Sequence, residues 1–281
     1  MSERTPEAQW SRAADGWARW AAIRAAMVPA TETLLDLAAV APGSLVLDIG
    51  CGSGEQTVMA AERAGPAGHV LAIDISAAMI AATDKTVAAA GLRNVSTRVC
   101  GVAALTGEDG AFNAAICRLV LMLVPDPTAA ARAVWAALRP GGAFAAMVHG
   151  DPAKNPLNRL ATEILARHGG KTVDPQKQGF FALSDPTRLE DVMRRAGFAD
   201  VVVTTAPVVR RLDDAAMAVA MVRESYAGCI ALIAGLPPAG QAAAWAELEQ
   251  ALARFEGPEG CVIPGEFNLV AGRRPAGPGR A

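Results

Sequence analysis

Three glycines at alternate positions, Gly50, Gly52 and Gly54, stand in the run Val46-Leu-Asp-Ile-Gly-Cys-Gly-Ser-Gly-Glu-Gln-Thr57. An apolar stretch leads into them and a helical pattern follows directly, so the spacing predicts a strand, a tight turn and a helix. Glycine lets a ligand lie against bare backbone, and the N–H groups that open the helix point towards it. Asp74 closes the next apolar run, 20 residues past Gly54, where a carboxylate can accept both hydrogen bonds of a ribose diol. A dinucleotide site has the pattern G-x-G-x-x-G, whose third glycine would fall at position 55. Glu55 stands there instead. Its charge would repel a pyrophosphate, whereas a sulfonium nucleoside carries no phosphate, and the pattern therefore favours S-adenosylmethionine over NAD.

Such a turn needs a sheet behind it. Apolar runs at Leu45–Ile49, Val70–Ile73, Val95–Val99, Phe112–Cys117 and Ala143–Val148 alternate with helical stretches at 54–64, 76–90, 127–138 and, more weakly, near 104–109. Five strands alternating with helices predict an α/β, doubly wound, mostly parallel sheet, with Pro140-Gly141-Gly142 as the turn into the fifth strand. Two helices precede it within residues 6–40, the second opened by Pro29, and Trp10, Trp17 and Trp20 recur on one face of the first. After residue 151 the alternation loosens. A polar, glycine-rich insertion (151–179) holds a helix at 156–168, and a helix from Ser184 through Arg195 stops at Gly197. A strand at Val201–Thr205, helices at 213–234 and 239–255, a strand at 261–271 and a fraying tail at 273–281 follow. The division expected is an N-terminal helical lid (1–40), a nucleoside-binding core (41–150), and lid helices with the last two strands (151–281), all within one domain.

The chain has 281 residues, 52% hydrophobic and 19% charged, with a net charge of -2. That composition excludes a disordered chain, and the near-balance of charge argues against nucleic acid or an anionic membrane as partner. Cys51, Cys100, Cys117, Cys229 and Cys261 are widely spaced, with no C-x-x-C pair and no zinc spacing, which suits a reducing compartment. The polar start is unlike a signal peptide, and the longest uncharged apolar stretch, Tyr226 to Leu236, is shorter than the ~20 residues that span a bilayer. A cytoplasmic protein without a metal centre is expected. No motif sets an oligomeric state, and a homodimer is the assembly considered.

The stretch around Gly50 resembles motif I of class I S-adenosylmethionine-dependent methyltransferases. The similarity continues through His69-Val-Leu-Ala-Ile-Asp-Ile-Ser76, Phe112 to Asp126, Ala137-Leu-Arg-Pro-Gly-Gly142 and Leu183 to Phe198. Its texture is that of the branch with ubiquinone and menaquinone biosynthesis enzymes and other small-molecule methyltransferases, which implies a seven-stranded Rossmann-like sheet. By this resemblance Gly50, Cys51, Gly52 and Gly54 approach the methionine and ribose of the cofactor, while Asp48 organises the turn or meets the ammonium group. Asp74 holds the ribose hydroxyls, and Ile75 or Met79 packs on the adenine. Cys117 and Arg118 sit beside the methionine moiety and the transferred methyl.

Two departures weaken the expected cofactor grip. The family often places an acid after the glycine that ends the third strand, where this chain has Gly101-Val102-Ala103, and Asn113 replaces an aspartate after Phe112.

Methyl transfer to a small, rather apolar metabolite is the function implied, as O- or C-methylation of a phenol, quinone precursor or natural-product scaffold. The alternative is a protein of the same fold that binds the cofactor without transferring methyl groups. His149 follows the fifth strand, at the carboxyl-end crevice, and is the candidate base for a phenolic proton; a pocket-wall residue is its plainer role. Met217, Met221, Glu224 and Gly228 form a stripe on the helix at 213–234, with Tyr226 off it.

Overall fold

The computed structural model describes residues 5–20, 25–105, 108–174 and 179–276. Strands β1 (Leu45–Ile49), β2 (His69–Asp74), β3 (Val95–Val99), β4 (Phe112–Arg118) and β5 (Leu138–His149) are mutually parallel. With β6 (Ala199–Leu212) and β8 (Gly260–Arg273) they form one sheet in the order β3-β2-β1-β4-β5-β8-β6. The long strand β8 runs antiparallel between β5 and β6, and a two-residue strand β7 (Glu256–Gly257) adds a lip to it. The seven-strand, mostly parallel sheet expected above is therefore present.

The chain winds outward from β1 through β2 to β3, then returns to lay β4 on the other side of β1. The carboxyl ends of β1 and β4 thus border the crevice that such a reversal opens, the place where doubly wound sheets bind ligands. The connecting helices are α1 (Pro6–Arg19), α2 (Val28–Leu37), α3 (Glu55–Ala64), α4 (Ala77–Ala89), α5 (Pro127–Ala137), α6 (Pro156–His168) and α7 (Pro186–Ala196). Then come α8 (Ala215–Ser225), α9 (Ala227–Ile233) and α10 (Pro238–Leu252). Several starts carry a side-chain cap: Ser76 accepts from Met79 N, Asp126 from Ala129 N and Asp214 from Met217 N, each satisfying an orphan donor of the first turn.

Alternation along the strands gives each face its own core. Leu47, Ile49 and Phe144 pack with α5 and α7 on one side, while Val46, Ile116 and Met147 pack with α2 and α3 on the other. A third cluster joins α6, α8 and α10 to Leu212 and Ile263.

Several boundaries differ from expectation. The helix expected near 104–109 is one 3-10 turn, Val102–Ala104, and residues 106–107 lie outside the described residues. The helix expected over 213–234 bends by 90° at Tyr226, which separates α8 from α9. Strand β6 continues well past Thr205, because an edge strand can carry Pro207 without losing a ladder bond. Pro140-Gly141-Gly142 forms the irregular start of β5, with Gly141 at φ +82, and is no separate turn. The tail does not fray at its start: Arg274 donates to the carbonyls of Trp135, Ala136 and Leu138 and stacks on the Trp135 ring. Residues 277–281 lie outside the described residues.

Phe144 is fully buried in the first cluster against Phe198, with ring centroids 5.6 Å apart. Phe144→Ala is expected to cost about 3–5 kcal/mol of stability in urea unfolding. Val202→Thr, on the exposed face of β6, should stay within about 0.5 kcal/mol of the wild type.

Candidate active site

The glycine turn is a backbone structure held from below. Gly50, Gly52 and Gly54 all have positive φ, at +68, +59 and +90. The N–H groups of Gly50 and Cys51 both donate to Ile73 O, at 2.7 and 3.0 Å. A Cβ on Gly50 would stand 2.3 Å from Val120 Cγ2, so no side chain fits there without moving β4's end. Underneath lies Asp48, fully buried. It accepts from Thr57 Oγ1 at 2.5 Å and from Gln56 Nε2 at 3.4 Å. Burial pushes its pKa up to about 6, against the pull of Thr57 and the Arg118 charge.

Asp74 closes β2 with both oxygens in use, Oδ2 accepting from Gly52 N (3.1 Å) and Oδ1 from Ser76 N (2.9 Å). Burial raises its pKa as well, opposed by those backbone donors. Each carboxylate oxygen still has a lone pair for a further donor. The buried guanidinium of Arg118 pairs with Glu55 at 3.1 Å and donates to Thr31 Oγ1 at 3.2 Å, so one cation ties the helix after the turn to β4 and α2.

Above the turn opens a cavity of about 470 Å³ lined by Gly50, Cys51, Gly52, Asp74, Ile75, Met79, Gly101, Val102 and Arg118, with Trp10 and Trp17 of α1 across its mouth. Three expected cofactor residues do not line it. Asp48 takes the turn-organising role, because alternation along β1 points it under the turn with Val46. Gly54 packs on α4, where a Cβ would meet Thr83 Cα at 3.1 Å. Cys117 belongs to the apolar core against Val102, Leu121 and Phe144, since Arg118 and not its neighbour takes the cavity-facing register. Asn113 stands at the opposite, amino end of β4, accepting from Leu45 N at 2.6 Å, and so has no bearing on cofactor affinity.

The cavity's chemistry fits a nucleoside joined to an amino acid. Asp74 can take a diol, Ile75, Met79 and Val102 make an apolar slot for a base, and Gln56, which also lines the cavity, has a buried Oε1 without a partner. That oxygen is an acceptor suited to an ammonium group. Gln56 was not among the expected residues, although its place just after the glycines is a usable signal.

A second cavity of about 350 Å³ adjoins the first and shares Trp10, Trp17, Leu119 and Leu123 with it. Leu119 holds φ +62 at this junction, a conformation a leucine seldom adopts. The walls are apolar and aromatic, among them Met122, Phe180, Phe181, Met221 and Tyr226. The break after α8 turns Tyr226 into this wall, against Phe180 at 5.2 Å, so it is not off the lining stripe as expected.

His149 lies in the second cavity, buried among Phe180, Phe181 and Phe267. Its Nε2 is 3.3 Å from Asn158 Nδ2, and its Nδ1 has no partner. Burial, and then the Arg210 charge, lower its pKa to about 3, against the opposing pull of the Asn155 side chain. An efficient base at neutral pH needs a pKa near 7, and with Nε2 accepting from the Asn158 amide the neutral ring keeps its proton on Nδ1. His149 is placed as a hydrogen-bond donor and not as the base expected from its position in sequence.

Arg210 and Asn158 were also missed. Arg210 had a signal: it is the charged member of the buried alternation Val208, Arg210, Leu212 on β6. Three further polar side chains are structural. Glu224 accepts from Arg19 and Trp20, His168 pairs with Glu247, and His69 meets Ser96. Among the described residues no three His, Cys, Asp or Glu side chains converge for a metal ion, and no single helix is long and apolar enough to cross a membrane.

The family described as "Methyltransferase domain" matches residues 46–142, which covers β1 to the start of β5. Nocamycin O-methyltransferase of Saccharothrix syringae is 33% identical over 183 residues, 62% of this chain and 65% of that protein. Demethylmenaquinone methyltransferase of Lactobacillus johnsonii is 26% identical over 176 residues, 59% of this chain and 72% of that one. The chain thus spans about two-thirds of the length of these relatives. Among solved structures, the [4+2]-cyclase SpnF superposes with a TM-score of 0.55 at 21% identity, covering 89% of this chain and 81% of that one, a likeness of fold alone. With the glycine turn, Asp74 and the sheet order in place, residues 46–142 are a methyltransferase domain of the class I S-adenosylmethionine-dependent family.

Proposed function

We propose that this chain transfers a methyl group to an oxygen or carbon of a small, largely apolar acceptor, such as a phenol, a quinone precursor or a natural-product scaffold. The observation that carries the reading is the pair of adjoining cavities with a common wall. One has the glycine turn and Asp74; the other is apolar and aromatic and opens onto the first at Leu119 and Leu123. S-adenosylmethionine, when bound, supplies an electrophilic methyl carbon. Asp74, Gly52 and Gln56 hold it, with Ile75, Met79 and Val102 against its base. Trp10 and Trp17 cover both cavities and exclude water, and α1 is tied down by Ser11 to Ser76 (2.9 Å) and by Trp20 to Glu224 (2.9 Å).

Among the described residues no group in the acceptor cavity is poised near neutral pH to take a proton, so rate enhancement comes from alignment of the acceptor. That feature also favours a second reading, in which the site binds the cofactor without methyl transfer. Release of S-adenosylhomocysteine with any acceptor of a phenol and quinone panel rejects it. The five cysteines, all unpaired, suit the reducing cytoplasm, and the modest net charge suits a metabolite in preference to a nucleic acid.

Calorimetric titration should give micromolar binding of S-adenosylmethionine and S-adenosylhomocysteine and none of NAD. Asp74→Ala should weaken both by about 1–3 kcal/mol, the cost of leaving buried polar groups unpaired; an unchanged affinity would put the ribose elsewhere.

A second expectation concerns acid. Folded His149 stays neutral down to about pH 3, whereas its ordinary pKa is 6.5. Unfolding therefore takes up a proton between those values, and the stability His149 contributes is full above pH 6.5 and lost as pH falls towards 3. The urea-unfolding gap between wild type and His149→Gln should narrow by on the order of 2 kcal/mol from pH 7.5 to pH 5. A constant gap would show that the buried neutral ring is wrong.

A further inference from the structure

Arg210 has the weakest local compensation of the buried cations described. It is 6% exposed, lines the second cavity, and its Nη1 has no hydrogen-bond partner. No carboxylate among the described residues lies within ion-pair distance of it. A guanidinium cannot shed its proton to escape this, and an unpaired buried charge is costly. The Phe267 ring, 5.9 Å from its Cζ, offsets only part of that cost.

Two further unpaired polar atoms belong to the same region. The His149 ring packs against the same Phe267, with centroids 5.4 Å apart; its Nδ1 makes no hydrogen bond of ordinary geometry, the Asn155 side chain being the one neighbour that favours its protonated form. Asn158 donates to His149 Nε2 and keeps a buried Oδ1 unpaired. Two of the three open positions, on Arg210 and His149, are donors, and one of these carries a full positive charge. The third accepts, which suits a hydroxyl next to the charged group. Phe180, Phe181, Met221 and Tyr226 make the rest of the wall apolar.

We infer that the acceptor cavity recognises an organic oxyanion, a carboxylate or an ionised enol on an otherwise apolar and aromatic ligand, with Arg210 as its counter-ion and His149 as a second donor. This rests on the methyltransferase reading for what happens next, but the binding site stands on its own atoms. It is a specificity site: it accounts for a cavity without a base, because a ligand that enters ionised has no proton to lose.

The test is binding. Purified protein, alone and saturated with S-adenosylhomocysteine, is titrated with 2-naphthoate against 2-naphthamide and with 4-hydroxycoumarin against coumarin, followed by tryptophan fluorescence and calorimetry. At least one acid should bind about 10- to 100-fold more tightly than its neutral partner, the range for a charge-assisted buried pair. Which pair shows it separates carboxylate from enol. Arg210→Met should abolish the advantage and leave neutral-ligand affinity unchanged, while Arg210→Lys keeps part of it.

Equal binding of acid and neutral partner by the wild type overturns the inference, whether or not Arg210→Met folds. So does an acid advantage that survives in folded Arg210→Met. Failure of S-adenosylhomocysteine to bind, with the acid preference intact, would instead strike the methyltransferase reading and leave the oxyanion site standing.

Discussion

Everything in this molecule that faces the cofactor cavity hangs on a carboxylate that does not face it. Asp48 is buried beneath the glycine turn and holds Thr57 and Gln56 of the first turn of α3. Removing a charge from water is tolerated there because two side-chain donors and the nearby Arg118 compensate it. The result is a helix start pinned to a strand end, with three glycines between them in conformations that only glycine adopts freely. The two edges of the crevice are joined in the same way, by Arg118 reaching from β4 to Glu55 on α3 and Thr31 on α2.

That rigid floor contrasts with the cover. Helix α1 crosses the sheet's carboxyl edge and lays Trp10 and Trp17, in edge-to-face contact at 6.2 Å, over both cavities at once. Its close seat on α8 depends on Gly16, where a Cβ would come within 2.2 Å of Glu224 O. A wall shared by two adjoining cavities is the arrangement a two-ligand reaction would need to keep water out. Fold alone does not specify that reaction, as the likeness to a [4+2]-cyclase illustrates. The chemistry has to be argued from the walls.

The walls divide sharply in how readable they are. The cofactor cavity is built from residues close together in sequence, at the ends of consecutive strands, and Gly50, Gly52, Asp74, Ile75, Met79, Gly101 and Val102 line it as their positions implied. Two of the three misplacements there come from strand alternation, while Gly54 is turned onto α4 by the glycine turn itself. Of the two roles that the resemblance implied for Asp48 the structure takes the turn-organising one, and Cys117 leaves the cavity for the core, because the side-chain period of two sends each to the other side of its strand. The acceptor cavity draws on α1, β5, α6, the loop before α7, β6 and α8. His149, Arg210 and Tyr226 are scattered over 78 positions (149 to 226), and no spacing rule connects them.

The amino-acid sequence by itself determined the class of sheet, the glycine turn and the carboxylate that closes β2, because these follow from local conformational preference and short-range periodicity. Only the tertiary structure decided that Asp48 supports the turn without lining the cavity and that the helix after Asp213 breaks at Tyr226. It also decided that His149 is buried out of reach of its ordinary pKa and that Arg210 has no counter-ion among the described residues. Burial and long-range neighbours set the energy of a charge, and a linear sequence contains neither until the sheet has brought its edges together.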